Sequence, residues 1–267
     1  MKKQFLQSAA AVSFAAVCSL TAVCSPAMAA PPLPPPVPYY NWTGFYVGGN
    51  AGYSWGQGAV QYNEPAFGFF GLPTSLSGSN QLNGGIGGFQ AGYNWQINTL
   101  WIVGLETDFQ FSSERASKTS NLPYTFNDGE SLASATLSGT LSSKIDWFGT
   151  VRGRVGYLIN PTTFVYGTGG LAYGQVSASG SFSDTGCTPA CTWSFSQTAT
   201  KVGWALGAGF EGAIPTSRNW TWKVEYLHID LGSMSGTGFD NDFFGPYSWS
   251  ARFTDDILRV GLNYRFP

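Results

Sequence analysis

Residues 257–267 read I-L-R-V-G-L-N-Y-R-F-P, and their alternation decides the fold. Successive side chains of an extended strand point to opposite faces. Leu258, Val260, Leu262, Tyr264 and Phe266 therefore share one face, which is wholly apolar and ends in aromatics. Arg259, Gly261, Asn263 and Arg265 share the other, with two arginines on it. A strand of a soluble sandwich alternates as well. An apolar face set against an arginine-bearing one suits lipid on one side and a polar interior on the other.

Seven earlier segments carry the same signature, at 45–55, 85–97, 101–111, 145–157, 163–175, 202–214 and 220–227. In the first, Phe45, Val47, Gly49, Ala51, Tyr53 and Trp55 fall together. In the second, Phe89, Ala91, Tyr93, Trp95 and Ile97 oppose Gln90, Asn94 and Gln96. In the third, Trp101, Val103, Leu105, Phe109 and Phe111 oppose Glu106, Asp108 and Gln110. The fourth sets Ile145, Trp147, Val151, Val155 and Tyr157 against Asp146, Arg152 and Arg154. The fifth is rich in glycine and its register stays open. The sixth places Val202, Trp204, Leu206 and Phe210 opposite Glu211, and the seventh Trp220, Trp222, Val224 and Tyr226 opposite Lys223 and Glu225. Each is about the 9–11 residues that a tilted membrane strand needs, or somewhat more.

The connections sort by length. Long ones (57–84, 112–144, 176–201 and 228–256) alternate with short ones at 98–99, 160–161 and 215–219. An up-and-down barrel produces this pattern, with tight turns at one rim and long loops at the other. Trp and Tyr gather at the segment ends, as interfacial girdles require. The expected fold is all-β: an eight-stranded antiparallel up-and-down transmembrane β-barrel spanning 44–267.

Composition agrees. Charged residues are 10% of the chain, aromatics 16%, and glycine occurs 35 times. A soluble domain carries about 25% charged residues. Residues 1–30 read as a cleaved signal peptide: Lys2 and Lys3, an apolar run, then Ala27-Met28-Ala29. Residues 31–43 open with P-P-L-P-P-P-V-P, a stiff spacer. Without Lys2 and Lys3 there are 11 basic residues against 15 acidic, a balance near −4. That argues against nucleic acid, which demands basic patches. Cys24 follows Val23 where lipidation expects a small residue, so a lipid anchor is the weaker reading.

The inward positions set the expected chemistry. Glu106, Asp108, Asp146, Arg152, Arg154, Glu211, Lys223, Glu225, Arg259 and Arg265 are near balance in charge. Eight strands enclose a space that side chains just fill. These charges must pair or stay hydrated, so a plug of salt bridges is expected rather than a gated conduit. Cys187 and Cys191, in C-T-P-A-C, are expected to form a disulfide in an oxidising compartment. Zinc is the alternative, without a nearby histidine to complete it.

Gly207-Ala208-Gly209-Phe210-Glu211-Gly212 matches a dinucleotide fingerprint, but Pro215 follows where a helix is required. His228 is the only histidine. A Ser/His/Asp enzyme would depend on it, and so could a hemin site, together with loop tyrosines. A rim histidine without chemistry is the preferred reading. No cofactor and no metal are expected. Asp255-Asp256 could attract a cation, but a solvated rim pair is the preferred reading.

The segments N-W-T-G-F-Y-V-G-G-N-A-G-Y-S-W-G (41–56), G-G-F-Q-A-G-Y-N-W-Q (87–96), V-G-L-E-T-D-F-Q (103–110), W-F-G-T-V-R-G-R-V-G-Y (147–157), G-G-L-A-Y-G (169–174) and R-V-G-L-N-Y-R-F (259–266) together resemble the small outer-membrane β-barrels of alphaproteobacteria. These are the major surface-antigen, porin-family proteins of rhizobia and their relatives. The resemblance covers nearly all of the mature chain. It implies a barrel like the OmpA membrane domain, exported to the outer membrane and inserted by the barrel-assembly machinery. It implies contact with outer-membrane lipid and lipopolysaccharide, and a host or surface ligand met through the long loops. It implies a structural, envelope-integrity and surface-interaction role and no catalytic residues; hemin binding or small-solute passage is the alternative, and an outer-membrane enzyme acting on lipid comes third. Tyr264 and Phe266 are the expected assembly signal, although Pro267 follows the terminal aromatic that such barrels usually end on.

Overall fold

A computed structural model describes residues 40–127, 132–187, 189–217, 219–240 and 245–266. The expected signal peptide and residues 31–39 of the spacer lie outside this set. Nine strands follow one another: β1 (Gly44–Asn63), β2 (Ser75–Gln96), β3 (Trp101–Ser112), β4 (Arg115–Asn127), β5 (Leu132–Asn160), β6 (Thr163–Asp184), β7 (Cys191–Ala213), β8 (Trp220–Asp240) and β9 (Gly245–Arg265). A 3-10 turn at Pro65–Phe70 joins β1 to β2.

Every pairing is antiparallel, and the ring closes where β9 meets β1, with Val47 opposite Tyr264 and Tyr53 opposite Leu258. Closure leaves no sheet edge for lipid to meet. The ring has nine strands rather than eight because one position is split. β3 and β4 are successive pieces of a single stave, interrupted at Ser113-Glu114, and both pair with β5.

Along the ring, apolar side chains point out and polar ones in. Phe89, Leu105, Val151, Leu206, Val260 and Leu262 are each half exposed or more. Aromatics bound this band at both ends: Phe45, Trp95, Trp101, Tyr157, Trp220 and Phe266 at one, Trp55, Phe111, Trp204 and Tyr226 at the other. From Phe45 to Trp55 is ten residues, roughly 33 Å of strand, which a tilt of about 40° reduces to ~25 Å in height. That is the height of an outer-membrane apolar band.

The strands do not stop at the second belt. Most of the residues expected as long loops are strand, and there the polarity of the two faces inverts. On β6, Leu171 faces out below the belt, while the same face continues as Ser177, Ser179 and Ser181 above it. The inward face changes from Thr168 to Val176, Ala178 and Phe182, all nearly fully buried. Above the belt the ring also opens. β2 pairs with β4 only at Asn83 and Arg115, and the β7–β8 ladder ends at Trp204 and Asp230. The upper portions thus form two four-stranded sheets, β2-β1-β9-β8 and β4-β5-β6-β7. They face each other across an apolar core. Tyr62 of the first lies 4.4 Å from Phe182 of the second, and Trp249 stacks 4.9 Å from Phe195. A barrel in the apolar band becomes a sandwich outside it.

Two strands are irregular where the barrel passes into the sandwich. β8 bulges between Asp230 and Gly232. Gly232 takes φ +76°, a conformation that disfavours any other residue, and the Asp230 carboxylate accepts the Gly232 N–H at 2.8 Å. β5 bulges between Ile145 and Trp147. This corrects the expected register. Ile145 turns inward into the apolar core, and Asp146 leaves the interior to pair with Lys144 at 3.0 Å. The extra residue of a bulge shifts everything beyond it to the opposite face.

Candidate functional site: the closed interior

Three layers fill the space inside the ring. At the mouth near the tight turns sit Trp42, Ile102, Leu158, Phe164 and Tyr166. Residues 40–43, expected as the tail of the spacer, fold back into this mouth. Trp42 is fully buried, 4.6 Å from the Phe164 ring, and its indole N–H donates to the Pro161 carbonyl at 3.3 Å. Arg265 joins this layer rather than the acids above. Its guanidinium donates to the Asn41 carbonyl at 2.6 Å and lies 4.9 Å from the Tyr40 ring.

The middle layer is an ion network. Arg152 reaches Glu106 at 2.7 Å, Asp108 at 2.9 Å and Glu225 at 3.0 Å. Arg259 reaches Asp108 at 2.8 Å and Glu225 at 2.5 Å. Arg154 holds Glu211 at 2.5 Å, and Lys223 holds Glu106 at 2.8 Å. Four acids meet four bases, and each of the eight residues is at most 3% exposed. Buried charge is tolerated only when paired and hydrogen-bonded, and hydroxyls add to the shell. Tyr46 donates to Glu106 at 2.7 Å, Tyr166 to Glu225 at 3.1 Å, Thr150 to Asp108 at 2.8 Å and Thr221 to Glu211 at 2.8 Å. An amide chain extends the network: Asn50 donates to Gln90 at 2.9 Å, Gln90 to Asn263 at 2.6 Å and Asn263 to Glu211 at 3.1 Å.

Above the network, just outside the belt, two carboxyls meet. Ser54 donates to Asp255 at 2.5 Å and Ser112 to Glu114 at 2.8 Å. Both acids are buried. Burial pushes the Glu114 carboxyl up to about 7. Burial, followed by the neighbouring Glu114 charge, pushes Asp255 up to about 9. Asp255 and Asp256 are therefore not a rim pair: they face opposite sides of β9, one in and one out.

Asp256 belongs to the outer face with His228. His228 Nδ1 lies 2.8 Å from the Asp256 carboxylate, Tyr226 donates to the same oxygen at 2.6 Å, and the His228 ring is 5.3 Å from Trp204. This cluster sits at the belt on the outside of the ring. The Cys187 and Cys191 sulfurs are 2.04 Å apart where β6 passes to β7. Among the described residues no three His, Cys, Asp or Glu side chains converge on a metal site. At the chain end, the Phe266 N–H bonds to the Phe45 carbonyl at 2.9 Å, and the Phe266 ring packs 5.2 Å from Tyr264 and 5.7 Å from Phe45.

The ion network unites eight positions that sequence periodicity places inward. Tyr46 and Tyr166 were not among them. Tyr46 falls between outward Phe45 and Val47, so its phase marks it as inward. Tyr166 lies on the segment whose register glycines obscure.

A family model described as outer membrane protein beta-barrel domain matches residues 15–266. The 31 kDa outer-membrane immunogenic protein of Brucella melitensis is 38% identical over 267 residues, covering 98% of this chain and 100% of the relative. The 22 kDa outer membrane protein of Rhizobium leguminosarum bv. viciae is 30% identical, covering 87% and 82%. The 25 kDa outer-membrane immunogenic protein of Brucella abortus is 29% identical, covering 88% and 86%.

Proposed function

Because the chain belongs to the outer-membrane β-barrel proteins and is an integral surface protein of the outer membrane, we propose that its role is structural and adhesive, without catalysis and without an open pore. The interior carries this reading. The mouth is filled by Trp42 and its neighbours, the middle by eight neutralised charges and the upper part by an apolar core. A solute would have to displace all three.

The tight turns then face the periplasm and the sandwich projects outward. The hydroxyl-rich outer faces of the sandwich suit contact with other surface molecules, and the word immunogenic in the Brucella relatives' names fits such exposure. Partners in this reading are outer-membrane lipid, lipopolysaccharide, the barrel-assembly machinery and a surface ligand met by the projecting strands. His228, tied to Asp256 and flanked by Trp204 and Tyr226 on the outer face, serves as an interfacial anchor rather than a haem ligand or a general base.

Planar-bilayer recording tests the closed interior. The purified monomer is expected to give no stable openings; long-lived, ohmic single-channel steps would overturn the reading.

A further inference from the structure

One outward face beyond the belt differs in charge from the rest. Arg115 on β4 stands directly opposite Lys144 on β5. Directly opposed side chains on neighbouring strands are close, and like charges there repel. Lys144 leans on Asp146 at 3.0 Å, in an exposed pair that adds little. Arg115 has no carboxylate partner among the described residues. The face therefore keeps a net positive charge and two donors side by side, of which Asp146 answers only Lys144 among the described residues.

The same row continues across the sheet as Ser177 and Thr198, whose hydroxyls are 2.8 Å apart. The next row outward holds Ser117, Ser142, Ser179 and Ser196, with Ser142 donating to Ser117 at 3.0 Å. These two rows line a groove of about 540 Å³. Two cations at one end of a hydroxyl floor match a phosphorylated sugar: guanidinium and ammonium take the phosphate, and hydroxyls exchange hydrogen bonds with the sugar ring.

Position names the source. Phe111 and Trp147, opposed at the upper edge of the lipid-facing ring, precede Arg115 by four residues and follow Lys144 by three. That is roughly 10–13 Å of strand, less in height once the strand tilt is counted. The two cations stand at the depth of the lipid headgroups.

From this we infer that the β4–β7 face is a binding site for the phosphorylated sugar headgroup of an outer-leaflet glycolipid, with Arg115 and Lys144 on the phosphate. The inference rests on the outer-membrane placement and the outward orientation of the sandwich given above.

The test compares the full-length protein with the Arg115→Ala/Lys144→Ala double variant, and with Arg252→Ala, which removes an outward cation from the opposite sheet. Each is reconstituted in phosphatidylcholine vesicles containing diphosphoryl lipid A, dephosphorylated lipid A or neither. Lipid retained per barrel is read by mass spectrometry. Diphosphoryl lipid A is expected to be retained about tenfold less by the double variant than by the other two, and excess inorganic phosphate is expected to compete weakly. Equal retention by the double variant, or equal retention of the dephosphorylated lipid, overturns the site. So does inorganic phosphate that binds as tightly as the glycolipid, since the face would then serve a free anion. Heat-modifiable migration and outer-membrane fractionation are run on the same samples. Normal results there, with equal retention, defeat the glycolipid site alone; failure there by the wild type defeats the outer-membrane reading itself.

Discussion

Arg259 Nη2 lies 2.8 Å from Asp108 Oδ2 across 151 residues of sequence, joining the last strand to the third. The same guanidinium holds Glu225 of β8. The final strand thus brings the cation that completes a charge balance begun by the strands before it. Removing it leaves two carboxylates buried and underpaired. Arg259→Ala is expected to cost about 3–5 kcal/mol. Urea titration of the compact gel band measures this, and a midpoint equal to wild type would refute it.

Raising the pH is expected to weaken the molecule through Glu114 and Asp255. Their folded values, about 7 and about 9, lie above the ordinary carboxylate value of about 4. Across that window the folded chain holds protons that the unfolded chain has released. Their contribution is present in full below the unfolded value and is lost as the pH climbs through the folded ones. Asp255→Asn keeps a partner for Ser54 and removes the charge. Its melting temperature is expected to vary less between about pH 5 and about pH 9 than that of wild type.

The C-terminal aromatics bind β9 to β1 and to the turn before β8. Phe266 meets Phe45, Arg265 donates its N–H to the Asn219 carbonyl at 2.7 Å, and Tyr264 packs 5.4 Å from Trp220. Deleting residues 264–267 is expected to abolish insertion, whereas deleting Pro267 alone leaves it intact. Surface labelling of intact cells reads both; normal surface levels of the longer deletion would defeat the assignment.

Phe182→Ala acts on the sandwich and spares the barrel. Phe182 is buried between Tyr62 and Trp193, 4.4 and 5.3 Å away. Its loss is expected to cost the upper core about 3–5 kcal/mol. Limited proteolysis of intact vesicles should then clip the projecting strands while the lipid-embedded segments survive. Protection equal to wild type would show that the two halves do not yield separately.

The membrane ring was legible in the sequence because lipid imposes a strict rule on one face. Leu258, Val260 and Leu262 against Arg259 gave the pattern, and its recurrence in seven earlier segments set it apart from a soluble sandwich strand. The sandwich was hidden by the polarity inversion. A strand such as β6 keeps its period of two, but Ser177 and Ser179 take the face that Leu171 held. A reading that follows apolar residues on one face stops there and records a loop. Asp146 was misplaced for a different reason: a bulge leaves no mark in hydrophobic alternation. The ion partners could be named only as a pool, since pairing depends on which strands lie across the ring. The Glu114–Asp255 meeting needs the same knowledge, because 141 residues separate the two.

The inversion also fixes how deep the protein rides. Sinking by two residues along β6 would bring Ser177 towards hydrocarbon, and rising would lift Leu171 towards water. Every stave that continues past the belt imposes a similar limit, so these limits add around the ring. The barrel is a depth gauge: it has one equilibrium height in the bilayer, and a thinner or thicker membrane must deform to meet it rather than let the protein slide.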